Sequence, residues 1–293
     1  MIDISFSINL FSDLQTMWQY DFMQHAFEAG TIVAIIAGIV GYFVVLRRSS
    51  FAAHALSHIG FAGAAGAVLF GVDPIIGLLL FTSGGGITIG LLGRRAASRD
   101  IQIGTVLAFM LGLGVLFISL YSGYATEAYS ILFGEILGIS TNDVLVTLVA
   151  SLVILLLTAV VYRPLLFASL DEDVAEAKGL PTLLLGVIFM ILVAVATSIS
   201  VQVVGVLLIF ALMVTPAAIA QRLSKQPIHG IVISVFIALM ATWIGLFVSF
   251  YEPYPVSFFI TSIVFVIYLL TLIVQRINTS LISERLFHFK NEG

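Results

Sequence analysis

The sequence predicts an all-α integral membrane protein: a polytopic bundle of about nine transmembrane helices, N-terminus outside and C-terminus cytoplasmic. Three observations carry that prediction. The 293 residues are 60% hydrophobic and 10% charged, whereas a soluble domain is roughly a quarter charged, and mean hydropathy is +1.17. Apolar runs long enough to cross about 30 Å of hydrocarbon recur along the whole chain. Every lysine and arginine falls between those runs, in alternate gaps. No shift in composition divides the chain, so residues 1–293 read as one membrane domain.

The N-terminal stretch has neither a basic region nor a small-residue cleavage site beside an apolar core, so it does not read as a signal peptide. Within residues 1–22, Leu10, Phe11, Leu14, Met17 and Trp18 recur at helical spacing, with Asp13 and Gln15 between them. That pattern suits an amphipathic helix lying on the outer leaflet, an anchor more than a functional site. The nine apolar runs follow at 29–46, 51–70, 75–93, 103–120, 143–161, 181–200, 201–220, 229–249 and 256–275.

Arg47 and Arg48 follow the first run; Arg94, Arg95 and Arg99 follow the third. Arg163 and Lys178 follow the fifth, Arg222 and Lys225 the seventh, and Arg276, Arg285 and Lys290 the ninth. All twelve basic residues thus share one side, which the positive-inside rule makes cytoplasmic. Nine acids remain outside: Asp3, Asp13, Asp21, Glu28, Asp73, Glu127, Glu135, Asp143 and Glu252. They either concentrate cations at the entrance or are simply what the exclusion of basic residues leaves. The run 181–220 carries no charge over forty residues, too long for one crossing at 1.5 Å per residue. The polar cluster Thr197 to Gln202 marks the expected outer turn, and a re-entrant segment here would reduce the count to eight.

Several functions are excluded or disfavoured. There is no cysteine, hence no disulfide, thiolate metal site or cysteine nucleophile. Net charge of −4 argues against a nucleic-acid partner. No H-E-x-x-H, G-x-S-x-G or paired intramembrane aspartates support proteolysis. Coupled secondary transporters usually carry intramembrane carboxylates, and only Asp143, at an outer end, lies within a run. Without a G-x-x-x-x-G-K-[ST] loop, anything this bundle transports would need energy from a separate subunit. A proton-coupled metal carrier is the alternative from another class.

The second run contains His54 and His58, neighbours on one helical face about 6 Å apart. Neutral imidazoles at that spacing can ligate one divalent transition metal, zinc being the usual case. Two nitrogen ligands make a weak site suited to a transient stop. The other reading is that these histidines hydrogen-bond neighbouring helices, as Ser57 can. Beyond them, Gly60, Gly63 and Gly66 allow close helix approach or expose backbone along a conduit. Ser83 to Gly86 suits a kink and does not resemble a nucleotide-binding loop.

Leu170 to Pro181 stands apart as a short cytoplasmic helix: Asp171 as N-cap, acids in the first turn, Gly179 and Pro181 as stops. It is either a handle for a cytosolic partner or a solvated connector.

The chain resembles the membrane permease subunits of bacterial ABC importers for zinc and manganese, over nearly its whole length. Gly41-Tyr42-Phe43-Val44-Val45-Leu46-Arg47-Arg48-Ser49-Ser50-Phe51 is similar to the family's G-x-F-V-V-x-R-R-M-S-F/Y, and His54-Ala55-Leu56-Ser57-His58 to its D-A-L-S-H. Ile131 to Ser140 resembles Y-L-F-G-D-L-L-A-V-S/T, and Val204 to Ala220 resembles V-G-x-L-L followed by P-A-A-T-A. The resemblance implies a plasma-membrane location, a second copy of the chain, cytosolic ABC ATPase subunits and an extracytoplasmic metal-binding protein. It implies no permanently bound cofactor and no catalysis by this subunit. It places His58, and with it His54, near the translocation path. It makes residues 170–181 the segment coupled to the ATPase, with Leu170, Asp171, Glu172, Val174, Ala175, Ala177, Gly179 and Leu180 as its contact set. Two departures stand out. His54 replaces the family's aspartate, which favours zinc over manganese as cargo, the nearest alternative being the same architecture importing manganese or a metal chelate. Glu252-Pro253-Tyr254-Pro255-Val256-Ser257 replaces the usual aspartate-proline-glycine pattern.

Overall fold

The computed structural model describes residues 15–91, 96–121, 134, 136–252 and 254–291, with 96–99 and 278–291 described by backbone alone. Nine helices run along these residues: α1 Asp21–Leu46, α2 Ser50–Leu69, α3 Pro74–Leu91, α4 Ala96–Leu120, α5 Thr141–Leu170, α6 Glu172–Ala177, α7 Thr182–Leu223, α8 Pro227–Tyr251 and α9 Val256–Asn291. All but α6 are long and apolar enough to cross a membrane.

Local chemistry explains the helix ends. At the start of α5, Ser140 and Asp143 form a reciprocal capping box: the Asp143 amide donates to the Ser140 hydroxyl (3.3 Å) and the Ser140 amide to the Asp143 carboxylate (3.1 Å). Pro227 opens α8 at a position where its missing N–H costs nothing. The end of α1 closes as a Schellman motif, with the Ser49 amide donating to the Val44 carbonyl (2.8 Å) and the Arg48 amide to the Val45 carbonyl (3.0 Å). The left-handed position of that motif usually holds glycine, but here it is Arg48 (φ 52°), a placement that costs roughly 1–2 kcal/mol.

α7 is the centre of the bundle, touching α1, α2, α3, α5, α8 and α9. Its 42 residues would span about 63 Å if straight, twice the hydrocarbon thickness. The backbone breaks at Gly205 (φ 81°, ψ 164°), separating arms 182–204 and 206–223. The first arm runs antiparallel to α3: Gly90 abuts Val187, Gly86 abuts Met190, and the hydroxyls of Thr82 and Ser198 hydrogen-bond. The second arm packs on α1, with Gly41 against the Met213 carbonyl and the Gln221 amide donating to the Tyr42 carbonyl (3.0 Å).

The first and last residues of α7 therefore both lie where α1 stops, and there the Arg47 guanidinium covers the Phe189 ring at 5.4 Å. Gly205 lies towards the opposite end, against Gly134. One helix thus supplies two apolar arms, so the eight long helices among the described residues provide nine such segments. The reversal itself is not where the sequence suggested. Thr197 to Gln202 is helical and largely buried, and the turn falls three residues later. The Ser198 hydroxyl satisfies itself on the Ala194 carbonyl (2.9 Å), so polarity here does not require exit from the helix. Only glycine readily takes the backbone angles of position 205.

α1 also packs on α8. Gly38 abuts Val235, the Ser234 hydroxyl donates to the Gly38 carbonyl (2.9 Å), and the Trp243 indole donates to the Thr31 hydroxyl (2.9 Å). α2 packs between α3 and α4 through glycines: Gly63 meets Gly77, and Gly66 meets Phe117. The glycines of α2 thus serve close packing. Ser83 to Gly86 stays helical, with no kink, because Gly85 and Gly86 face Ile59 and Met190. Of the expected N-terminal amphipathic segment, residues 1–14 lie outside the described residues. Met17 is fully buried and Trp18 is exposed.

Candidate functional site

α2 begins two residues beyond the α1 Schellman turn, and this fixes the depth of its histidines. His54 lies one turn into the helix and His58 two. Their rings meet edge to face, centroids 4.6 Å apart. On its other flank His54 meets Phe210 of the second α7 arm, also at 4.6 Å. Both histidines are half-buried. The Ser57 hydroxyl donates to the His54 carbonyl (2.7 Å), which is satisfaction within the helix.

The His54 Nδ1 is buried with no hydrogen-bond partner among the described residues. A structural histidine normally spends that atom on a neighbour. At this nitrogen the arrangement differs from interhelical hydrogen bonding and leaves a donor atom available. No group of three or more His, Asp or Glu side chains is placed to hold a metal among the described residues. The pair thus offers two nitrogens, with aromatic packing from Phe210 holding the His54 ring. Phe210 is the site residue that sequence reasoning missed, because nothing local to α2 announces a neighbour from α7.

The α6 segment forms as its sequence indicates. The Asp171 carboxylate accepts from the Val174 amide (3.0 Å), capping the N-terminus. The C-terminus is a full Schellman motif: the Leu180 amide donates to the Ala175 carbonyl (3.1 Å), the Gly179 amide to the Glu176 carbonyl (2.8 Å), and Gly179 has φ 81°. Ala175 is fully buried against Ala168, Leu185, Phe167 and Leu180. The expected contact set therefore divides. Ala175 and Leu180 anchor the segment to α5 and α7, and Glu172 is half-buried. Leu170, Asp171, Val174, Ala177 and Gly179 are exposed.

At the other end of the bundle, a cavity of about 260 Å³ lies between Gly134, Ile136, Val204, Leu208, Tyr254 and Val256. The Asp143 carboxylate accepts from the Gln202 amide (3.3 Å), joining α5 to α7 just before the Gly205 reversal. Of the Ile131–Ser140 motif, residues 131–133 and Glu135 lie outside the described residues, as does Pro253.

Comparison with known proteins gives consistent results. The family model described as the ABC 3 transport family matches residues 19–275. The manganese transport system membrane protein MntC of Listeria monocytogenes is 31% identical over 238 residues, 81% of this chain and 85% of that protein. The manganese import system permease protein ScaB of Streptococcus gordonii is 29% identical over 238 residues, 81% of this chain and 85% of that protein. Among solved structures, PsaBC from Streptococcus pneumoniae in complex with Fab superposes with a TM-score of 0.80 at 29% identity, covering 90% of this chain and 95% of that one.

Proposed function

Because the chain belongs to the ABC 3 transport family, a family of multi-pass permeases of the plasma membrane, we propose that it is the transmembrane subunit of an ATP-driven importer for a divalent metal ion. The observation that carries the metal reading is the His54–His58 pair with its unpartnered buried Nδ1. Metal passes this pair as substrate and stops there only briefly, since two nitrogens bind weakly compared with a four-ligand site.

The whole chain, residues 1–293, acts as one permease domain. It works with a second copy of itself, cytosolic ATPase subunits and an extracytoplasmic metal-binding protein. The end that carries Arg47, Arg48, Lys178, Arg222 and Lys225 faces the cytosol by the positive-inside rule. The N-terminus is then outside and the C-terminus inside. α6, exposed at that end and anchored through Ala175, receives the ATPase movement. Binding energy shifts access only through contacts that differ between inward- and outward-open states.

Imidazole ligands support zinc as the cargo. A second reading, manganese, is favoured by the names of the Listeria and Streptococcus relatives, which are manganese transport proteins. Zinc-65 uptake into liposomes containing the permease, its ATPase and its binding protein, with manganese as competitor, separates the two. Uptake that needs ATP and prefers zinc supports the first reading. Manganese preference selects the second, and uptake driven by a proton gradient without ATP overturns both.

A further inference from the structure

Two imidazoles do not complete the coordination of a transition metal, and no third His, Asp or Glu side chain is placed to join them among the described residues. Within this chain the remaining positions fall to water. How many waters fit is then a question of space around His54 and His58, and the α7 residue that approaches them decides it.

The His54 ring is flanked twice. His58 meets it edge to face with centroids 4.6 Å apart, and Phe210 meets it at 4.6 Å with the ring planes inclined by 60°. A metal on an imidazole nitrogen stands about 2 Å from it, and each bound water adds about 2 Å more. A phenyl ring this close occupies the space that waters on its flank would need. The Nδ1 atom is itself shut off from solvent, so a metal reaching it has already shed part of its hydration. The backbone that carries Phe210 is fixed from both directions. Ile209 and Leu212 are fully buried beside it, and further along the arm the Met213 carbonyl lies against Gly41 of α1.

We propose that Phe210 is a specificity-determining residue, selecting the metal by limiting how many waters it keeps at His54. The inference rests on the reading of the histidine pair as a stop for metal. Zinc is satisfied by a tetrahedron of four ligands, whereas manganese favours an octahedron of six, mostly oxygen. The two imidazoles plus a pair of waters serve zinc. Manganese needs twice as many waters, and the flank held by Phe210 has no room for them. The phenyl ring brings no lone pair to stand in for a missing water. Ligand type at His54 and ligand number at Phe210 therefore select in the same direction, and the second is a property of volume rather than of charge.

Cobalt(II) reports coordination number directly, because tetrahedral cobalt absorbs visible light far more strongly than octahedral cobalt. The purified full-length permease, titrated with cobalt chloride, is expected to show intense tetrahedral bands that zinc displaces. Phe210→Ala is expected to replace them with weak octahedral absorption. In equilibrium dialysis of the same samples it is expected to lower the preference for zinc over manganese about tenfold, the scale on which surroundings of a metal ligand tune affinity. Phe210→Leu, which fills much of the same space without a ring, is expected to keep the parent bands and preference. Phe210→Val, a milder truncation than alanine, is expected to fall between the two, so the test does not hang on one variant folding. Parent-like bands and preference in both smaller variants overturn the proposal, and so does Phe210→Leu behaving like Phe210→Ala. An octahedral parent spectrum that His58→Ala abolishes overturns this proposal and leaves the histidine reading standing. A parent that binds no cobalt overturns both.

Discussion

Gly63 of α2 and Gly77 of α3 lie backbone to backbone, so that a Cβ on either would collide with the other's carbonyl oxygen. In a bilayer such contact is a main source of helix association, because lipid tails are as apolar as the side chains they replace. Gly63→Ala or Gly77→Ala is therefore expected to destabilise the permease by about 1–3 kcal/mol through overpacking. Gly84→Ala, on the same helix with nothing within 4 Å, is expected to be neutral or mildly stabilising. Thermal unfolding of the three variants in detergent checks the contrast.

The reversal at Gly205 admits a similar test with a different cause. Its angles belong to a region essentially reserved for glycine, so Gly205→Ala is expected to cost about 1–3 kcal/mol from backbone strain alone. Limited proteolysis and melting of the purified variant would show it. A melting temperature equal to the parent's would contradict the hairpin geometry.

For the histidines, His58→Ala is expected to abolish ATP-dependent metal uptake while leaving assembly with the ATPase intact. His54→Asp exchanges an imidazole for a hard carboxylate and is expected to shift competition towards manganese. Uptake assays with both metals, normalised to complex recovered by affinity purification, measure each effect. Unchanged transport in His58→Ala would remove the pair from the pathway.

α6 separates coupling from folding. Asp171→Ala removes the N-cap and is expected to destabilise the helix by about 1 kcal/mol. Gly179→Ala meets no neighbour within 4 Å but forces a side chain into positive φ, at roughly 1–2 kcal/mol. Both variants are expected to melt close to the parent, since the segment is short and peripheral, yet to show reduced metal-stimulated ATP hydrolysis. Parent-level coupled hydrolysis in both would make α6 a connector only.

Much of this was legible in the sequence because its causes are local. Apolar length set the crossings, the alternation of basic residues set which ends share a face, and Asp171 and Gly179 set the limits of α6. Two features were not legible for the same physical reason. The turn in α7 was expected at the polar cluster, but Ser198 finds acceptors in the Ala194 carbonyl of its own helix and the Leu78 carbonyl of α3, so the chain reverses at Gly205, which takes the needed angles. The approach of Phe210 to His54 depends on tertiary packing across α2 and α7, which no local pattern encodes. Arg48 hid in plain view: glycine marks a Schellman turn in sequence, and arginine does not.

The α7 hairpin also bears on how the protein is made. Its two arms follow one another with no charged residue between Thr182 and Gln221, and the bend at Gly205 adds no hydrophilic loop. A ribosome feeding the translocon would thus deliver both arms as a single uncharged stretch, with only the short polar cluster Thr197 to Gln202 near the bend. The two arms can therefore enter the bilayer as one unit that packs against α1 and α3, both of which precede it in the chain.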